Sequence, residues 1–591
     1  MALDHSTQSA DSIMPTSSTR PIAARAWGKR LVFLGTAAAI LLGIFGATTH
    51  NPVLMRRPEQ IASAFDATVL EAAGKIDREF RADWEQQGLR PAPEAPWHTI
   101  ARRISLGMVG NGLSLEEYRS LEKIPEDQRV GWWTEYLLKD RRWADQFAER
   151  FARATVGTSE GPFLIFRRRK YVDWLADRFE ENMPYDQIAS RILSARGSWT
   201  DSPEVNFLTA TMDENNDNKP DAVRLAGRTS RAFLAMRIDC LQCHNDYLGN
   251  VQFPTESAAQ SSDPKESLRT GQQTDFHQLA AYFGSLRMDN PFSGLKEEQG
   301  QAYRTKYLNS QEETDVVASV PFEPEWFGGQ QSNRKGLAAW VTRPGNRAFA
   351  RATVNRVWAI LAGKPLVQPI DDIPAQGPYP PGLEALADDF IEHGYDLKRL
   401  VRVIIATGVY RIDSQWSQGD SSQTEQIDET YEKAWAVFPM SQLRPEQMAA
   451  AVHQACRLKT IDASSSILSQ LELYGGVNDF TKAYGSRGED EFFEQSVTIP
   501  QRLLMMNGQF LSERIDNNPI MNAATRIAGL ARDDQTAVTT AFLSTLNRPA
   551  TAQELEVFTQ RLEGKRGEAR SRELGNLFWV LLNSSEFQWN H

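Results

Sequence analysis

A chain of 591 residues, 41% hydrophobic and 24% charged, is long enough for two or three domains and too apolar for wholesale disorder. Its net charge of −11 excludes a general nucleic-acid binder, and three cysteines exclude a disulfide framework. Stability must come from packing, for which fifteen tryptophans and twenty-eight phenylalanines supply bulk.

The first 30 residues are rich in Ser, Thr and Ala and end in Arg20, Arg25, Lys29 and Arg30. Leu31 to Ala47 then carries no charge and has about the minimum length of a membrane-crossing helix. The basic flank places residues 1–30 in the cytoplasm, so 31–48 reads as a transmembrane signal anchor, with a cleaved signal peptide as the competing reading. Everything after it is expected on the extracytoplasmic side of the cytoplasmic membrane, in a single-pass arrangement. Residues 49–96 read as a stem closing in a proline-spaced linker, Pro91 to Pro96.

From 97 to 290 the pattern is helical. Ser114 with Glu117 forms a capping box. Trp132, Trp133, Tyr136 and Leu137 share one helix face, as do Tyr171, Trp174, Leu175 and Phe179. Val223, Leu225, Thr229, Phe233, Met236 and Cys240 recur at three- and four-residue steps. That spacing predicts a helix delivering Cys240 from its apolar side and continuing far enough to bring Cys243 alongside. Residues 291–333 hold glycines, prolines and charges and read as a connection. A second mainly helical domain is expected over 334–591, with a polar interruption at 412–430. The expected class is therefore mainly α: an N-terminal transmembrane helix followed by two predominantly helical domains.

Chemistry concentrates in Cys240-Leu241-Gln242-Cys243-His244. C-x-x-C-H is the spacing that covalent haem attachment requires: two thiols reach the two porphyrin vinyls, and the imidazole falls beneath the iron. On this reading haem c is the cofactor, His244 the proximal iron ligand, and Met288 and His277 the downstream candidates for the sixth position. A structural or redox disulfide is a second reading of the pair. A zinc site completed by Asp246 or His277 is a third.

Weaker motifs are outweighed by ordinary roles. Gly157 to Gly161 fits G-x-S-x-G but lacks the strand before it that a nucleophile elbow needs. Asp213 to Asn218 resembles the start of a calcium loop but lacks its glycine and its bidentate glutamate. Arg167 to Lys170 reads as a charged helix face more than as an anionic-surface contact. Arg351, Asn355, Arg356 and Trp358, near Asp371 and Asp372, read as a salt-bridge network or a polar binding site.

Several local motifs resemble the planctomycete secreted cytochrome-like proteins, in which a cytochrome-c-like domain of unknown function precedes a second uncharacterised domain. They include Ile76-Asp77, Gly88 to Pro93, Met183 to Asp186, and Arg231 to Leu234 ahead of the cysteines. The C-terminal part is similar at Phe349 to Arg351, Val354 to Trp358, Asp371-Asp372, Gly394 to Lys398 and Leu581 to Phe587. The resemblance implies the same domain order and leaves the biochemical role open. Two departures stand out. Asp246, Tyr247 and Leu248 replace the family's second histidine and its Pro-Phe, and Tyr379-Pro380-Pro381 lacks a histidine common in that turn.

The expected function is that of a membrane-anchored, exported, c-type-cytochrome-like protein, handling electrons or a haem-bound ligand and serving a redox partner. The alternative is a haem-free cell-surface interaction or glycan-binding protein with a structural cysteine pair.

Overall fold

Apolar residues at helical spacing, punctuated by Asp, Ser, Thr and Pro at the starts, produce a mainly α structure. The computed structural model describes residues 64–591 apart from 160–165, 213–218, 256–267, 291–292, 299–301, 328–332, 416–428, 486, 489–490, 493–497 and 519–521. The expected signal anchor at 31–48 lies outside the described residues. Among those described, no helix is long and apolar enough to cross a membrane. The strands are two or three residues long and pair only as isolated antiparallel ribbons, such as Gln252–Pro254 with Leu268–Thr270.

The helix Arg347–Ala362 is the hub. Nearly every residue from Phe349 to Ala362 is buried, Trp358 and Val357 fully, because neighbours pack on all sides of the helix. It packs against Trp97–Met108 and Ala222–Leu234 from the first half of the chain and against Leu383–Glu392 from the second. Trp358 stacks on Phe80 and meets Trp435 edge-on. At the crossing with Trp97–Met108 the backbones nearly touch: a Cβ on Gly107 would lie 2.8 Å from Leu361 Cα.

Packing does not follow the 291–333 connection. One apolar core gathers residues from Val69 to Phe492, on both sides of it. A second gathers residues from Leu443 to Phe587 together with Leu106. Buried arginines join the two. The Arg102 guanidinium donates to Thr545 O (3.2 Å), Asn547 Oδ1 (3.1 Å) and Phe587 O (3.0 Å). Arg103 stays within the first core, donating to Tyr410 O (2.5 Å) and Ile412 O (3.1 Å) and lying over the Phe438 ring. Arg150, 1% exposed, pairs with Glu446 at 2.6 Å and Glu491 at 2.5 Å. Carbonyls and carboxylates at such distances are what make a buried guanidinium tolerable.

Candidate functional site

The helix Ala222–Leu234 begins at Asp221, whose carboxylate accepts from Val223 N (2.9 Å) and Arg224 N (3.1 Å). It ends sooner than its apolar spacing predicts. Ala235 adopts the left-handed conformation (φ 49°), which turns the chain out of the helix five residues before Cys240. Cys240 instead sits in a separate 3₁₀ turn, Asp239–Gln242, and the Cys243 N–H donates to Cys240 O at 3.3 Å. The predicted continuous helix is therefore corrected to helix, break and tight turn. The turn is pinned by fully buried Leu241, which points the neighbouring residues outward.

Both thiols are free and exposed. Burial, followed by the charge of Asp246, raises the Cys240 thiol above its ordinary value, so it is a poor nucleophile. His244 is exposed and stacks parallel to Tyr247, with centroids 6.3 Å apart. Its Nδ1 lies 2.7 Å from Asn245 O. A carbonyl only accepts, so Nδ1 carries the proton and Nε2 keeps its lone pair facing outward. This is the tautomer a metal-ligating imidazole adopts.

The loop after the motif is organised by Asp246. Its carboxylate accepts from Val251 N (2.6 Å), Leu248 N (3.0 Å) and Gly249 N (3.2 Å). Burial pushes this carboxyl up, but the backbone N–H groups outweigh it and hold it below its ordinary value. Tyr247 and Leu248 on the same loop are 73% and 86% exposed. A cleft of about 920 Å³ opens beside Cys243, walled by Gln242, His277, Tyr303, Val223, Arg304 and Asp315 among others.

The two residues expected at the sixth position are both buried. His277 is 4% exposed and both its ring nitrogens are engaged. Nε2–H donates to Gln242 O (3.0 Å), and Nδ1 accepts from the Tyr303 hydroxyl (2.9 Å). Met288 is buried in the apolar core at 4% exposure and does not line the cleft. For zinc, the described residues bring no fourth ligand to the turn. Asp246 and His277 are committed elsewhere, and no group of three or more metal-ligating side chains occurs among the described residues.

The haem fit rests on this chain's own donors. Two exposed thiols flank a rigid turn, the adjacent imidazole is held with Nε2 outward, and the exposed apolar side chains of Tyr247 and Leu248 stand beside them. These residues fit a covalently attached porphyrin with one protein axial ligand.

The remaining motifs take structural roles. A helix, Arg141–Val156, precedes Gly157 where a nucleophile elbow needs a strand. The calcium-like residues 213–218 lie outside the described residues. In the basic run, Arg168 pairs with both Glu149 oxygens (2.9 and 2.8 Å), Arg167 lies over Trp199 and Arg169 over Tyr474. Asn355 exchanges two hydrogen bonds with the Val367 backbone. Arg351 pairs with Glu384, while Asp371 takes Arg237 at 2.7 Å. Sequence reasoning missed Arg228 and Arg231, which line a small pocket with Arg356 and Asp371. Their three-residue spacing on one helix was the available signal.

Comparison with known families agrees with the domain order. Residues 75–252 match the model described as PSCyt2, a protein of unknown function (DUF1549), and residues 333–470 match PSD1, a protein of unknown function (DUF1553). No curated protein and no solved structure matches the chain. The cysteine turn thus falls within the first matched region and the hub helix within the second, and the chain carries a DUF1549 domain followed by a DUF1553 domain.

Proposed function

We propose that this is an exported, membrane-anchored protein carrying one covalent haem c, bonded at Cys240 and Cys243 and ligated through His244 Nε2. The observation that carries the reading is the orientation of His244: its Nδ1–H is tied to Asn245 O, next to two exposed thiols on one turn. When bound, the haem supplies redox chemistry or binds a small ligand, and the protein supplies orientation and electrostatics. Gln273 Nε2 and His277 Nε2 both donate to Gln242 O, holding the turn against the Gln273–Ala280 helix. With His277 and Met288 engaged elsewhere, no side chain is assigned to the sixth position. That favours ligand binding or a water-ligated carrier over a His/Met electron-transfer centre.

The test is maturation in a host that attaches haem outside the cytoplasm, followed by spectrum and intact mass. Expected are a Soret band that survives acid-acetone extraction and a mass gain of one haem, both lost in the C240S/C243S variant. A colourless sample with the mass of the bare polypeptide overturns the proposal. A second reading, haem-free binding of a polar cell-surface partner or glycan, draws support from the charged wall of the cleft at Arg304, Lys306 and Asp315. The same spectrum separates the two.

A further inference from the structure

Arg356 sits on the hub helix, 7% exposed, inside a protein whose other buried arginines are met by carboxylates or carbonyls. Its guanidinium makes no hydrogen bond or ion pair with any described residue. Burial lowers its proton affinity more than Glu491 and Asp371 raise it through space. Glu491 is already bonded to Arg150 at 2.5 Å. Asp371 accepts from Arg237 Nε at 2.9 Å and Nη2 at 2.7 Å. A buried guanidinium without a counter-charge is strongly disfavoured, so its retention calls for a ligand.

The surroundings supply more positive charge. Arg356 lines a small open pocket with Arg228, Arg231 and Asp371. Arg228 and Arg231 are one turn apart on Ala222–Leu234, which packs directly on the hub helix. Arg231 meets Asp239 at 3.6 Å, too long for a hydrogen bond. Arg356 therefore brings its unpaired guanidinium to a pocket that Arg228 and Arg231 also line, and the carboxylate there, Asp371, is already held by Arg237. Guanidinium forks pair with tetrahedral oxyanions through parallel N–H···O bonds.

We propose that Arg356, Arg228 and Arg231 form a binding site for a doubly charged tetrahedral oxyanion, sulfate or phosphate, at the contact between the two matched domains. None of the three arginines belongs to the cysteine turn, which reaches the site only through Asp239, 3.6 Å from Arg231. The anion would balance the charge of Arg356 and tie Ala222–Leu234 to Arg347–Ala362.

The experiment is calorimetric titration of the full chain with sodium sulfate and with inorganic phosphate, against sodium chloride at matched ionic strength. The wild type is expected to bind one oxyanion saturably and chloride weakly. Arg356→Met is expected to weaken binding about tenfold or more, and Arg228→Gln with Arg231→Gln to weaken it while leaving the buried core alone. In chloride, Arg356→Met should melt no lower than wild type, because it removes an unpaired buried charge. Absence of saturable binding, or equal binding by all variants, overturns the proposal. Should Arg356→Met not fold, the double variant decides by the same criterion. Methyl phosphate titrated beside inorganic phosphate distinguishes the source: tighter binding of the ester assigns a pendant group, tighter binding of the free ion a soluble anion, and either ordering supports the site.

Discussion

The imidazole of His277 is gripped from both sides, by the Gln242 carbonyl at 3.0 Å and the Tyr303 hydroxyl at 2.9 Å. Its burial lowers its proton affinity, which keeps the ring neutral and this donor–acceptor arrangement intact. Its role is to brace the cysteine turn, so His277→Leu should lower unfolding stability by about 1–3 kcal/mol, the usual cost of stranding buried polar partners. In haem-loaded protein the same variant should leave the absorption spectrum unchanged; a shifted Soret band would return His277 to the iron. The sequence announced the C-x-x-C-H turn because covalent chemistry fixes that spacing within five residues. It could not announce the partners of His277, because Tyr303 lies 26 positions away and Gln242 contributes only a backbone atom. The partner of Arg351 was silent for a similar reason: Glu384 lies 33 positions away, and Asp371, nearer in sequence, takes Arg237 instead.

Among elements, helix starts were legible and helix ends less so. The Ser114–Glu117 capping box forms as read, since both partners lie within one turn. The end of Ala222–Leu234 escaped notice because Ala235, rather than glycine, occupies the left-handed position. Helix contacts over long separations were equally silent, as in Arg150 with Glu446, 296 residues apart. The crossing of Trp97–Met108 over Arg347–Ala362 is the sharpest of these contacts. A methyl on Gly107 would meet Leu361 Cα at 2.8 Å and Leu361 O at 3.0 Å, main-chain atoms that no rotamer change can move. Gly107→Ala should therefore cost about 1–3 kcal/mol in denaturant unfolding, despite the better helix propensity of alanine. An equal or raised midpoint would mean that the two helices are free to separate.

At the scale of the molecule, burial acts on histidine charge in one direction. His98, His277, His453 and His591 all have lowered proton affinity, with burial the first cause in each. His453 is the extreme case. Burial, then the positive charges of Arg514 and Arg457, bring it from 6.5 to about 3, and its Nε2 lies 2.9 Å from Arg514 Nη2. A histidine depressed in the folded state leaves the unfolded chain to bind protons first. Its stability contribution is thus complete above 6.5 and is lost as pH falls from there toward the folded value. Carboxylates held low, such as Glu554 at about 2, lose their contribution only at more acid pH. Asp145, Asp186 and Asp372, raised by burial from 3.8, act with the opposite sign from that value upward. The melting temperature should accordingly fall between about pH 7.5 and pH 5.5, well before ordinary acid unfolding. His453→Gln isolates the largest contribution from all the others: whatever its absolute stability, its melting temperature should change less across that interval than that of the wild type. Equal slopes for the two proteins would mean that His453 is hydrated in the folded chain, and that the second core around it is open to water on the side of Arg514.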